Sequence, residues 1–247
     1  MLSKCWSSVA QPSRRPPPAQ PVPHARALQE QYQEREALDL YLQALEVDPD
    51  HFEAVCGASY LYGQMGKRLP DKERQKEYFR KSQSLARQAF AARPDDPEAN
   101  LVMAWSYGGV ALISGLREKV AAAWKVREHV ERTLQSRPED HRALYILANL
   151  NYQVRTAGFL QKSLARISFG GVPKELSLEK AIEAYRKAVE VRPDFILYRY
   201  ELARALNHSG LQPEAAEHLR QALLLEPGFE DDPAVLQQCP KLLSRLD

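Results

Sequence analysis

Five prolines in this chain share one context, and their spacing restricts the fold more than any other feature. They stand in Glu46-Val47-Asp48-Pro49-Asp50, Ala92-Arg93-Pro94-Asp95, Ser136-Arg137-Pro138-Glu139-Asp140, Val191-Arg192-Pro193-Asp194 and Leu225-Glu226-Pro227. Each follows an amphipathic stretch ending in Ala or Leu. Proline lacks the N–H that a helix interior needs and its ring clashes with the preceding turn, so each marks a helix end. An acidic residue just beyond it, such as Asp50, Asp140 or Asp194, suits the N-cap of the next helix. The intervals are 45, 44, 55 and 34 residues. A helix-pair repeat with insertions is the arrangement that produces such punctuation.

Fixed offsets from these prolines sharpen the reading. Before Pro193 stand Ala181, Tyr185 and Ala188; before Pro49, at the same offsets, stand Ala37, Tyr41 and Ala44. Before Pro227 the small positions are Ala215 and Ala222 with Leu219 between them, Leu202-Ala203 stands in the preceding helix, and Gly210 falls at the interhelix turn. Small residues let the second helix of a pair approach its partners, and the large one fills the space between units. The 34-residue unit starting at Ile196 resembles a tetratricopeptide (TPR) repeat. The expected fold is therefore all-α, a TPR-like α-solenoid wound as a right-handed superhelix, with repeats at about 25–50, 51–95, 96–139, 140–194 and 195–228 and a capping helix at 232–246. The longer intervals exceed 34 by 11, 10 and 21 residues. Tyr78, Phe79, Leu85, Ala86, Ala89 and Phe90 place the first excess in a second helix longer by three turns. Leu116, Val120, Ala123, Val130 and Leu134 do the same for the third unit. The largest excess lies between Gln153 and Leu178, with Leu160, Leu164 and Ile167 at helical spacing and then a loop, Phe169-Gly170-Gly171-Val172-Pro173.

A second population of prolines has another meaning. Pro12, Pro16, Pro17, Pro18, Pro21 and Pro23 crowd the N-terminus among Ser and Arg, with no acidic residue before Glu30. Residues 1–24 are expected to be a disordered, Pro-rich arm rather than part of a core, leaving Ala25 to Tyr32 for a first helix. The arm has no continuous apolar region of the signal-peptide kind. A cytoplasmic location is expected, with export or an organelle as the alternative should a leader precede Met1. Three scattered cysteines exclude a disulfide-stapled module. No apolar run approaches the ~18 residues of a spanning helix. A net charge of +2 disfavours nucleic acid as a partner.

The residues offer no catalytic constellation. The six His form no i, i+4 pair, the Cys give no CxxC, and neither Gly108-Gly109 nor Gly170-Gly171 lies in a phosphate-binding frame. No cofactor or metal is expected, and no enzyme. What remains is a surface. In a TPR superhelix, first-helix positions that miss the core line a concave groove. Here these are Tyr60, Gln64, Trp105, Tyr145, Asn149, Tyr152, Tyr200, Arg204 and Asn207. Aromatic rings bring contact area at low entropic cost, and Asn and Arg can engage a peptide backbone or a carboxylate. The alternative for each ring is packing against neighbouring helices. The lysine-rich carboxylate clamp of chaperone-binding repeats is not matched, since only Asn149 fits one of its positions.

Charge is segregated along the chain. Residues 25–60 hold two basic and eight acidic groups, and residues 61–93 hold nine basic and three acidic. The basic stretch from Lys67 to Arg93 can meet an acidic partner, or lie as a solvated face paired with the acidic first unit.

From Ala99 to Phe229 the chain resembles the regulator of microtubule dynamics family, TPR-like proteins with irregularly extended repeats. The stretches that carry the likeness are Ala104-Trp105-Ser106-Tyr107-Gly108-Gly109, Lys125 to Glu131 leading to Arg137-Pro138-Glu139-Asp140, the insertion Phe159 to Pro173, and Leu178 to Tyr185 leading to Arg192-Pro193-Asp194-Phe195. The resemblance implies a protein-binding role with tubulin or microtubules as partner. The alternative is a TPR peptide-binding scaffold or assembly factor unrelated to microtubules, in a bacterial cytoplasm or envelope.

Overall fold

Each of the first four junction prolines occupies the second position of a β-turn, where its fixed φ suits the chain reversal. The turns close through backbone bonds from His51 to Asp48, Asp96 to Arg93, Asp140 to Arg137 and Phe195 to Arg192, at 3.1–3.2 Å. The computed structural model describes residues 21–158, 162–164, 166–167 and 176–246. Among these residues there is no strand; twelve helices have both ends described, and 162–164 and 166–167 are helical as well. They form five antiparallel pairs: α1 (Pro21–Glu30) with α2 (Glu34–Val47), α3 (Phe52–Arg68) with α4 (Lys72–Ala92), α5 (Pro97–Ile113) with α6 (Leu116–Ser136), α7 (His141–Thr156) with α8 (Leu178–Val191), and α9 (Ile196–His208) with α10 (Gln212–Leu223). Two short helices follow, α11 (Asp232–Leu236) and α12 (Cys239–Leu243).

The residue closing each turn is the N-cap of the next helix, and this corrects two of the expected caps. Asp140 stands there and accepts from the Arg142 and Ala143 amides at 3.0 and 3.2 Å. Asp96 does the same for Glu98 at 2.8 Å. Asp50 and Asp194 come one residue too early. His51 caps α3 through Nδ1, accepting from the Ala54 amide at 3.4 Å. Phe195 occupies the cap of α9 without a side-chain bond.

The proline-anchored offsets form the core. Ala37, Tyr41, Ala44, Ala181, Tyr185, Ala188, Ala215, Leu219 and Ala222 are each at most 5% exposed. Gly210 has φ +77°, the left-handed conformation that the turn between α9 and α10 requires. A buried polar network ties the third pair together. Asn100 donates to the Pro94 and Asp96 carbonyls, its Oδ1 lies 2.9 Å from His129 Nδ1, and Thr133 donates to the Pro97 carbonyl. Glu98 then links this pair to the next, bound through both oxygens to Arg142 at 2.9 Å and to Arg137 at 2.6 Å. Burial opposes the Glu98 charge, but the two guanidiniums overcome it and hold its pKa below the usual range.

Four expectations about the elements change. The first helix begins at Pro21, four residues before Ala25, with Pro21 and Pro23 in its first turn where the missing N–H is not needed. Residues 1–20 lie outside the described residues. The extra length is shared between both helices of the second and third pairs: α3 and α5 have 17 residues against 13 in α9, and α4 and α6 have 21 against 12 in α10. The expected single capping helix is broken, because Pro240 has no N–H to continue the ladder from α11. Leu160 and the loop from Phe169 to Pro173 lie outside the described residues, and Ile167 is 82% exposed rather than packed.

The array curls until its ends meet. Tyr32, at φ 63° between α1 and α2, donates to Asp194 Oδ2 at 3.0 Å and accepts from Arg192 at 2.7 Å. Its ring lies 4.1 Å from that of Phe229, which lies 4.3 Å from Phe195.

Candidate functional site

The first helices of the second to fifth pairs face one concave groove and place one aromatic ring each on it. Tyr60 of α3 stacks on Trp105 of α5 at 5.0 Å and 27°. Tyr145 of α7 stacks on Tyr198 of α9 at 5.1 Å and 20°. Between the two stacks stands Lys67, from the last turn of α3. Its Nζ is 3.7 Å from the centre of the Trp105 ring and 5.9 Å from that of Tyr145. Among the described residues no carboxylate pairs with Lys67 within 4.0 Å. Lys67 keeps solvent exposure along the groove, and desolvation by the protein around it lowers its pKa, against the opposing pull of Asp231 and Glu201.

Trp105 sits as it does because α3 has no side chain in its way. The indole N–H donates to the Tyr60 carbonyl at 3.2 Å, and a Cβ on Gly63 would lie 2.5 Å from that nitrogen.

Beyond Lys67 the groove deepens into a cavity of about 390 Å³ between α5, α6 and α7. Its walls are mainly apolar, with Trp105, Leu112, Val120 and Leu150 among them, and Asn149 and Gln153 bring amides. Four cations reach it, Lys67, Lys119, Arg127 and Lys162, and no carboxylate lines it among the described residues. Arg127 is paired with Glu131 and Lys162 donates to the Arg155 carbonyl.

The nine expected groove residues divide. Tyr60, Trp105, Tyr145 and Asn149 come together around Lys67 and the cavity, Asn149 donating to the Tyr145 hydroxyl at 3.4 Å. Trp105 and Tyr145 are each only 7% exposed, so they form walls more than open surface. Gln64 is buried, with its Oε1 lacking a hydrogen-bond partner among the described residues. Tyr152, Tyr200 and Arg204 make a second cluster, with the Arg204 guanidinium 5.2 Å and 5.9 Å from the two rings and paired with Glu201. Tyr152 is packed into the core and Tyr200 is engaged by the C-terminal cap, donating to Gln238 at 2.9 Å. Asn207 is half-buried at the end of the same helix. Expectation missed Tyr198 and the role of Lys67. The missing signal was the extra turn of α3, which carries Lys67 into the groove. Of the basic stretch 67–93, Arg68 pairs with Glu34 of the first unit, and Lys76 and Lys81 pair within α4.

The sequence matches the family model described as regulator of microtubule dynamics protein 1-3 over residues 22–247. The chain belongs to the regulator of microtubule dynamics family. The match reaches further towards both ends than the stretch from Ala99 to Phe229. Mouse regulator of microtubule dynamics protein 2 is 23% identical over 212 residues, covering 85% of this chain and 52% of the mouse protein. Regulator of microtubule dynamics protein 3 of Xenopus laevis is 23% identical over 201 residues, covering 81% of this chain and 43% of that protein. The chain thus spans about half the length of these curated relatives. Among solved structures, a TPR protein of Thermus thermophilus superposes with a TM-score of 0.60 at 16% identity, covering 91% of this chain and 97% of that one. That likeness shows the fold, an all-α TPR-like solenoid. Among the described residues no helix of this family member is long and apolar enough to cross a membrane, and no cluster of three His, Cys, Asp or Glu could hold a metal.

Proposed function

We propose that this member of the family is a non-catalytic protein-interaction module whose concave groove receives an acidic polypeptide, with the acidic surface of tubulin as the partner and the cytoplasm as the setting. The observation that carries the reading is Lys67, a cation held between two aromatic stacks, with no carboxylate within 4.0 Å of it among the described residues. Cation–π contact stabilises an ammonium in place while leaving its N–H groups able to donate to an incoming carboxylate. The family relatives are named for microtubule dynamics, which supports tubulin over other acidic proteins. Co-sedimentation with polymerised tubulin across a salt series tests it. Pelleting at low salt that fades as salt rises is the expected result, and absence of pelleting at low salt overturns it.

The aromatic rungs also favour a second reading, a peptide-binding scaffold or assembly factor with no microtubule role. Trp105 and Tyr145 are core walls, so truncating them would disturb the fold as well as the groove. Lys67→Met separates the two, because it removes the charge and keeps an unbranched side chain over the indole. A partner captured equally by wild type and Lys67→Met would not be using this groove.

A further inference from the structure

The chain carries its own example of what the groove accepts. The segment Gly228-Phe229-Glu230-Asp231-Asp232 crosses one end of it. Phe229 lodges between Tyr32 and Phe195, at 4.1 and 4.3 Å. Behind it Glu230 and Asp231 turn their carboxylates towards Arg68, at 3.8 and 3.6 Å. Asp232 folds the segment by accepting from the Gly228 and Phe229 amides at 2.9 and 2.8 Å. An aromatic ring followed by carboxylates is thus matched to rings and a guanidinium. The next rung offers the same chemistry with no occupant among the described residues. Lys67 neighbours Arg68 in the chain and opens onto the 390 Å³ cavity, which has apolar walls, a wholly cationic charge complement among the described residues, and the Asn149 and Gln153 amides. Ligand pockets typically begin at about 300 Å³.

We infer that the cavity between α5, α6 and α7 is a binding site for an acidic peptide, taking one aromatic or large aliphatic side chain between Trp105, Leu112 and Val120 and the adjoining carboxylates on Lys67 and Lys119. This deepens the proposed function and rests on the groove being an interaction surface. The amides of Asn149 and Gln153 can bond a peptide backbone. An amphiphilic small anion would need the cavity and the lysines alone.

The site is made by the insertions. Counted from the start of α3, a helix of the 13 residues found in α9 would end at Gln64, before Lys67. Counted back from the end of α6, the 12 residues found in α10 would begin at Lys125, after Lys119, Val120, Ala123 and Trp124. A plain 34-residue unit supplies neither Lys67 and Lys119 nor half of the apolar wall.

The test uses the full chain and a fluorescein-labelled peptide with the sequence of residues 228–232, followed by anisotropy at low salt. Two variants address the site. Lys67→Met removes the charge, and Gly108→Leu blocks the cavity, because a Cβ at Gly108 meets nothing within 4 Å. Lys119→Met is a third, at the cavity rim, and circular dichroism confirms that each folds. Saturable binding by wild type, weakened at least about tenfold by both main variants and by replacing the peptide's phenylalanine with alanine, is the expected result. Absence of saturable binding, or wild-type affinity in both variants, overturns the inference. So does variant-sensitive binding of dodecanoate with none of the peptide, which would make the cavity a site for small amphiphiles. Microtubule co-sedimentation of the same proteins keeps the two ideas apart. Pelleting without peptide binding leaves the interaction reading standing and this site refuted. Peptide binding without pelleting does the reverse for tubulin.

Discussion

Gly63→Ala and Gly108→Ala make the same chemical change in two 17-residue helices, yet they should move stability in opposite directions. In a helix interior, replacing Gly by Ala stabilises by about 1 kcal/mol, because Gly loses more backbone freedom on folding. At Gly108 nothing opposes that gain, since the new Cβ has no neighbour within 4 Å. At Gly63 the new Cβ would lie 2.5 and 2.7 Å from Trp105 Nε1 and Cδ1 and 3.1 Å from Ser82 Oγ. The indole is a wall between α3 and α5 and cannot swing aside as a surface chain would. Overpacking of this kind costs about 1–3 kcal/mol. Pushing the ring away also weakens its bond to the Tyr60 carbonyl, a loss of about 1 kcal/mol. The net expectation is a destabilisation of about 1–3 kcal/mol at Gly63 and a gain of about 0.5–1 kcal/mol at Gly108. Urea denaturation followed by far-ultraviolet circular dichroism measures both, with an unchanged m-value confirming that midpoint shifts report stability. Equal midpoints for the two variants would refute the claim that Gly63 is there to admit Trp105.

Three further outcomes follow from the titratable and charged side chains. Arg142→Met leaves Asp140 without its hydrogen-bonded guanidinium and Glu98 with Arg137 alone; losing charge-assisted bonds in this part-buried set costs about 1.5–3 kcal/mol, read as a lower urea midpoint. His141 is held neutral by burial first, then by Arg142 and Arg192, with its pKa down at about 4. The unfolded chain takes up that proton near pH 6.5 and the folded one only near 4, so stability falls as pH drops through this window. His141→Gln should lose less stability than wild type between pH 7 and 4.5 when urea midpoints are compared. Asp194 is held at about 2, first by its hydrogen bond from Arg192. Its contribution is present above the unfolded value near 4 and is lost as pH falls towards 2, so Asp194→Asn should flatten the acid limb of that profile; an unchanged limb counts against the closure at Tyr32.

How much of this was legible in the sequence depended on whether the physics was local. The turns were legible because Pro49, Pro94, Pro138 and Pro193 fix their own φ. The core was legible because Ala181, Tyr185 and Ala188 recur at fixed distance from a proline, and packing two helices closely demands small residues at that spacing. Asp50 and Asp194 were misread by one position, since an N-cap is set by turn geometry rather than by the nearest carboxylate. The break in the cap comes from Pro240, which removes one N–H from a stretch whose leucines keep helical spacing. Tyr32 meeting Arg192, 160 residues on, left no signal at all. That contact depends on curvature accumulated over the pairs between them.

The concave residues fall between these cases, and the reason identifies what the insertions do. A repeat of fixed length repeats its surface, so offsets carried from a 34-residue unit find the rungs Tyr60, Trp105 and Tyr145. They cannot find residues that exist only because a helix is longer. Lys67 and Arg68 lie in the extra turn of α3, Ala111 and Leu112 in that of α5, Lys119 to Trp124 in the added start of α6, and Val154 and Thr156 in the added end of α7. All of these except Arg68 line the one cavity with the rungs Trp105 and Tyr145, or lie within a stretch that does. Longer helices at adjacent units extend past the ordinary packing layer, and their projecting ends must cover one another or enclose space. Here they enclose space and bring cations to it. The irregular intervals of 45, 44 and 55 residues are therefore the part of the punctuation that builds the cavity, while the regular 34 builds only the scaffold.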